Sequence, residues 1–293
     1  MKPLLPSGSR IAVVAPASRF DPERLEQGMS VLRAWGYELV LPDGLLAPVR
    51  SLAASDAVRR DHLSWALSAS DIDAVWAVRG GYGVTRLLDS LDWSTFRPRP
   101  VVGFSDLTPL LDQLAQRGFP AVHGPVVHSI PSTDASSLDA LRSLLQSGTQ
   151  PSLTGAIWKE GTATGPIVGG NLCLMAATCG TSAQIDTTDA IVLLEEIGEP
   201  AYRVDRMLQQ LASSGQLDAA AGVALGQFTG CDAPDGQGWD VNDVLRDHLM
   251  GLGVPVVADL PIGHGPCNHP FVVRSTATLQ DGVLTLASGG PAA

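Results

Sequence analysis

Through the first 130 residues, short apolar runs alternate with segments whose apolar positions recur every three or four residues. Residues 11–15 read as a buried strand. Asp21-Pro22 then opens a helix, with an N-cap acceptor followed by proline at the first helical position. Leu25, Met29, Leu32 and Trp35 mark its buried face, and Gly36 ends it. Further strands are expected at 37–41, 74–78, 101–104 and 121–127, with helices at 56–67, 84–91 and 107–117. Parallel strands need crossover connections, and the crossing helices cover both faces of the sheet. The pattern therefore predicts a parallel α/β layer.

The texture changes between 131 and 164. Ser-rich residues 129–137 and the breaker cluster Ser147-Gly148-Thr149-Gln150-Pro151 read as a linker or crossover. A second mixed block follows, with helices expected at 171–179, 202–211 and 241–249 and strands at 190–197, 222–228 and 254–260. Residues 276–279 and 283–286 suggest a hairpin turned by Asp281-Gly282. The chain is thus expected to hold an N-terminal domain (1–130), a linker (131–164) and a C-terminal α/β domain (165–293).

Composition narrows the function. Of 293 residues, 45% are apolar and 17% charged, a globular balance rather than a disordered one. The formal net charge is −11, and Arg59-Arg60 is the densest basic pair, so no nucleic-acid partner is expected. No apolar run of about 20 residues predicts a membrane span. Pro3, Pro6, Gly8 and Arg10 interrupt any export-signal core, so a cytoplasmic location is expected. The irregular spacing of Cys173, Cys179, Cys231 and Cys267 suggests free thiols in a reducing compartment.

In a parallel sheet, ligands bind at the carboxyl ends of the strands, so the loops there carry the chemistry. Arg79-Gly80-Gly81-Tyr82-Gly83 lacks the lysine of a P-loop and the spacing of a dinucleotide fingerprint. It can be a permissive turn or a backbone nest for an anion. Gly103-Phe104-Ser105-Asp106 is a strand-to-helix turn that would lift Ser105 to the top of the sheet, although Leu107 stands where a G-x-S-x-G elbow has its last glycine. Read alone, Ser105 could equally cap a helix. Gly263-His264-Gly265-Pro266-Cys267-Asn268-His269 puts an imidazole on an exposed loop, as a general base or, with Cys267 and His269, as a metal ligand. Glu195-Glu196 ends an apolar strand. Period two puts the pair on opposite faces, one expected in solvent, without choosing between them.

Together these segments resemble the LD-carboxypeptidase family, the muramoyltetrapeptide carboxypeptidases. The resemblance rests on Arg79–Gly83, Gly103-Phe104-Ser105-Asp106, Gly169-Gly170-Asn171-Leu172, Leu194-Glu195-Glu196 with Tyr202-Arg203-Val204-Asp205-Arg206-Met207, and Gly263-His264 with Asn268. It implies an N-terminal flavodoxin-like parallel-sheet domain and a smaller C-terminal α/β domain. It also implies a triad of Ser105 as nucleophile, Glu195 as orienting carboxylate and His264 as base. Backbone amides of Gly81 and Asp106 would form the oxyanion hole, and Gly80, Tyr82 and Arg203 would bind substrate. No metal or cofactor is implied. The expected substrate is a murein tetrapeptide losing its terminal D-alanine in cell-wall recycling, and the expected assembly is a homodimer. The alternatives are a peptidase of the microcin-immunity kind acting on acyl-aminoacyl nucleotides, a non-catalytic binding protein and a zinc hydrolase.

Overall fold

The computed structural model describes residues 3–232 and 238–287. Its first sheet is built from β1 (Arg10–Val14), β2 (Glu38–Val40), β3 (Ala74–Ala77), β4 (Val101–Gly103) and β5 (Ala121–His123). These five are parallel and ordered β2-β1-β3-β4-β5, the flavodoxin-like arrangement. Helix α1 (Pro22–Ala34) begins as expected: the Asp21 carboxylate accepts from the Glu23 amide at 2.8 Å, and Leu25, Met29 and Leu32 are buried. Helices α2 (Asp56–Ser68) and α3 (Thr108–Gln116) also pack on this sheet.

Residues 84–91 do not form the expected helix. Val84, Leu87, Leu88 and Leu91 are all buried, as the spacing requires, but only Leu88–Ser90 makes a single 3-10 turn. The backbone closes in i→i+3 turns instead, with the Leu87 amide donating to the Val84 carbonyl at 2.9 Å and the Ser90 amide to that of Leu87 at 2.8 Å, which buries the same side chains without an α-helix.

The stretch read as a linker is structured. It contains α4 (Ala135–Ser147), whose N-cap Asp134 accepts from the Ser137 amide, followed by β6 (Ser152–Thr154) and β7 (Ala156–Lys159). The serines lie within and beside a helix capped by Asp134 and Gly148, whose Leu141, Leu144 and Leu145 are buried; composition alone did not reveal the periodicity.

The second sheet adds β8 (Thr162–Asn171), α5 (Leu172–Thr178), β9 (Ile191–Ile197), α6 (Ala201–Ser213), β10 (Gly222–Thr229), α7 (Val241–Leu249) and β11 (Val256–Ala258). β12 (Phe271–Val272) leaves that block and pairs antiparallel with β5 of the first sheet, Phe271 opposite His123. β13 (Thr276–Gln280) and β14 (Val283–Leu286) return as the expected hairpin, with Asp281 and Gly282 both at positive φ. The eight strands run β6-β14-β13-β8-β9-β10-β11-β7, parallel from β8 to β11 and antiparallel elsewhere.

One apolar core joins the two sheets: Leu107, Leu110 and Leu111 of the first pack in the same cluster as Ile167, Leu193 and Leu279 of the second. The buried carboxylate of Asp112 on α3 takes Arg274, which follows β12, at 2.8 Å. These contacts hold the carboxyl ends of β4 and β9 next to each other. No described helix is long and apolar enough to cross a membrane.

Candidate active site

Ser105 lies two residues past β4 with φ at +66°, a left-handed backbone that a non-glycine residue adopts only when its surroundings enforce it. It caps nothing: neither the 3-10 turn it opens nor α3 has a side-chain cap bond. Thr108 Oγ1 instead donates to the Ser105 carbonyl at 2.8 Å, tying the turn to the helix behind it. The sharp turn throws the hydroxyl outward, where it meets His264 Nε2 at 2.9 Å. His264 Nδ1 meets Glu195 Oε2 at 2.6 Å. Three residues from the ends of three separate chain segments thus form one hydroxyl–imidazole–carboxylate chain. Glu195 is fully buried, and the Phe104 ring packs on the imidazole with centroids 4.8 Å apart.

The electrostatics follow from this geometry. Burial of His264 opposes its protonation, but the hydrogen bond and charge of Glu195, helped by the charge of Glu196, outweigh burial and hold its pKa above the ordinary imidazole value. With Nδ1–H donated to Glu195, a neutral His264 presents a bare Nε2 to the serine hydroxyl.

The glycine loop comes within contact distance of the same turn. A Cβ placed on Gly80 would stand 2.8 Å from Ser105 Cβ and 3.3 Å from the Asp106 amide nitrogen. At Gly81, φ is +103° and a Cβ would strike Ser18 Oγ. Only glycine lets this backbone approach the serine. The loop is held from beneath: Asp106, 1% exposed, accepts from the Val84 amide at 2.8 Å, and buried Arg59 donates to the carbonyls of Gly83 at 3.0 Å and Ala54 at 3.2 Å, and to that of Pro16. Desolvation pushes the Asp106 carboxyl up to about 6 despite the Val84 bond and the Arg59 charge.

The two adjacent glutamates correct an expectation, for both are buried. Glu196 faces away from His264 and lies under the start of α5, where its carboxylate accepts from Asn171 Nδ2 at 3.0 Å and the Cys173 amide at 2.8 Å. Period two gave the opposite faces correctly; the second face is covered by a helix rather than by water.

A cavity of about 360 Å³ opens over Ser105 and His264, with Arg79, Gly80, His128, Asn171 and Glu199 among its walls. Tyr82 and Arg203, both expected to bind substrate, are not in those walls. Tyr82 is half exposed and turns outward, and Arg203 stands in solvent on α6, with Glu199 at 3.3 Å one turn away. A larger cavity, about 510 Å³, lies on the far side of the His264 loop and touches none of the three chain residues.

Cys267 and His269 diverge from His264, Cys267 towards Asp134 and His269 towards Ser136. Among the described residues, no group of three or more His, Cys, Asp or Glu side chains is placed to hold a metal ion. All four cysteines are free thiols.

Sequence reading missed a second histidine behind the site. His123, 1% exposed, stacks on Phe271 with centroids 4.6 Å apart and donates from Nε2 to Asn268 Oδ1 at 3.1 Å; the same oxygen accepts from the Gly263 amide at 3.3 Å. His123 thereby helps fix the loop that carries His264. Its only sequence signal was a histidine at the end of an apolar strand. Desolvation pushes its pKa down to about 4. The unfolded chain, with an ordinary imidazole near 6.5, therefore binds this proton first, and stability falls as pH drops from about 6.5 through 4. Denaturant unfolding of wild type and His123→Phe at pH 7 and pH 4 should show the wild type losing more, by ~3 kcal/mol at most. Parallel losses would mean that His123 is not the group responsible.

The two-sheet fold, with a hydroxyl–imidazole–carboxylate chain at the junction, defines a class of mixed α/β protein whose site is assembled from both halves of the sequence. The family model described as the LD-carboxypeptidase N-terminal domain matches residues 11–124, and that of the LD-carboxypeptidase C-terminal domain matches residues 164–279. The chain belongs to the LD-carboxypeptidase family, which makes it a hydrolase of the carboxypeptidase type. It is 33% identical to the murein tetrapeptide carboxypeptidase of Pseudomonas aeruginosa, over 94% of each chain. The crystal structure of muramoyltetrapeptide carboxypeptidase from Oxalobacter formigenes superposes with a TM-score of 0.87 at 30% identity, covering 97% of this chain and all of that one. The microcin C7 self-immunity protein MccF, solved with aspartyl sulfamoyl adenosine, shares the fold with a TM-score of 0.86 over the whole of both chains, at 18% identity.

Proposed function

We propose that this chain is a serine-type LD-carboxypeptidase that removes the terminal D-alanine from murein tetrapeptides. The observation that carries the reading is the 2.9 Å contact between Ser105 Oγ and His264 Nε2, backed by Glu195 on Nδ1. In this reading His264 takes the Ser105 proton as Oγ attacks the carbonyl before D-alanine. The amides of Gly81 and Asp106 donate to the oxyanion, a term worth about 3–4 kcal/mol for one donor. The intermediate collapses as His264 returns the proton to the departing amine. Water, deprotonated by the same imidazole, then cleaves the acyl-enzyme. Relatives named for murein tetrapeptides support the substrate class. The likeness to MccF supports the fold and no particular substrate. A cytoplasmic location and a homodimer belong to the same proposal.

Mass spectrometry of a D-alanine-terminated tetrapeptide after incubation should show loss of one alanine and nothing shorter. An intact tetrapeptide, together with cleavage of an aminoacyl sulfamoyl adenylate, would replace this reading with the nucleotide-directed one.

A further inference from the structure

A carboxypeptidase must distinguish a chain end from a chain interior, and the feature that differs is a free carboxylate. Among the described residues lining the cavity over Ser105, Arg79 is the one side chain with a permanent positive charge. It is exposed, and its Nη1 donates to the Arg19 carbonyl at 2.9 Å, leaving the other N–H groups of its fork available. The ion pairs among the described residues do not include it. The two carboxylates in the same walls are already engaged: Glu196 by Asn171 and the Cys173 amide, Glu199 by Arg203. The wall on the Arg79 side also holds His128, whose pKa is lowered by burial and then by the charges of Arg79 and Arg24. That end of the cavity therefore presents a cation without an anion, beside a neutral imidazole.

We infer that Arg79 binds the C-terminal carboxylate of the residue to be released, and so restricts cleavage to the last peptide bond. The inference rests on the carboxypeptidase reading above. Arg79 follows β3 and begins the loop whose next residue packs on Ser105, so one short segment places both the carboxylate clamp and the backbone beside the nucleophile. A planar guanidinium suits a carboxylate because two parallel N–H groups can meet its two oxygens.

The test compares kcat/KM on a tetrapeptide ending in D-alanine with that on the same peptide ending in D-alaninamide, for the full chain and for Arg79→Gln. Wild type should prefer the acid by about 10–100-fold, the scale of a charge-assisted hydrogen bond. Arg79→Gln should bring the ratio near one, chiefly by slowing the acid. Labelling of Ser105 by a serine-directed phosphonate at an unchanged rate would show that the variant's site is intact. If labelling is lost, Arg79→Lys, which keeps the charge, must still prefer the acid; no preference there overturns the inference. A wild-type preference that Arg79→Gln leaves untouched also overturns it, while the carboxypeptidase reading survives. A wild-type ratio near one also overturns the inference, whereas failure to release D-alanine from the acid would sink the carboxypeptidase reading.

Discussion

Replacing Ser105 with alanine is expected to lower kcat/KM on a D-alanine-terminated tetrapeptide by ~10⁵-fold or more, the scale seen when a triad serine is removed. The fold should tolerate the change. The Ser105 side chain makes no cap bond, and its hydroxyl is spent on His264 alone. Alanine would inherit the +66° backbone, which Thr108 and the Gly80 approach continue to enforce. Thermal unfolding should therefore change little while turnover disappears. Product analysis with wild type alongside is the direct measurement; an alanine variant that retains full activity would remove Ser105 from the mechanism and with it the whole assignment. Residual turnover of 10³–10⁴ over water is compatible with the reading, since oxyanion amides and substrate binding survive the loss of the nucleophile.

Glu195→Gln should cost about 10²–10⁴-fold in kcat, because the imidazolium formed during attack loses its charged partner and the tautomer is no longer enforced. It should also move the pH profile. Activity needs neutral His264, so kcat/KM rises with pH through the His264 pKa, which in wild type lies above the ordinary imidazole value. Glu195 supplies most of what raises it. Without that carboxylate, burial lowers the pKa against Glu196's charge alone, and the acid limb shifts to lower pH. A variant whose limb stays at the wild-type position would mean that another group sets it. Glu196→Gln should leave the His264 hydrogen bond intact and move the limb far less, since Glu196 spends its oxygens on Asn171 and the start of α5.

Much of this site was legible before any coordinates, for a specific reason. Ser105, Glu195 and His264 each sit where an apolar run ends, and in α/β sheets those ends face the ligand. Choosing among the alternatives at each position was not a local matter. Ser105 as a cap and Ser105 as an exposed hydroxyl have the same neighbours in sequence; the +66° φ and the imidazole 159 residues later distinguish them. Likewise, Glu195 differs from Glu196 only in which sheet face meets the first domain and which meets α5. Tyr82 and Arg203 stand outside the cavity walls because proximity in sequence to a site loop does not fix where a long side chain points. His123 was invisible because its role needs β12, a two-residue strand from the other half of the chain.

The sequence by itself determined the alternation of strands and helices, and with it a parallel first sheet and the loops at its carboxyl ends. Periodicity and caps are local, written in residues three or four apart, and they survive without knowledge of the rest. Only tertiary structure decided that the two blocks share one core, that a strand of the second completes the edge of the first, and that the 131–164 connection is itself folded. Those outcomes depend on packing between residues far apart in the chain. The Ser105–His264 contact is of this kind: its residues are named in the sequence, but their 2.9 Å meeting depends on two sheets buried against each other.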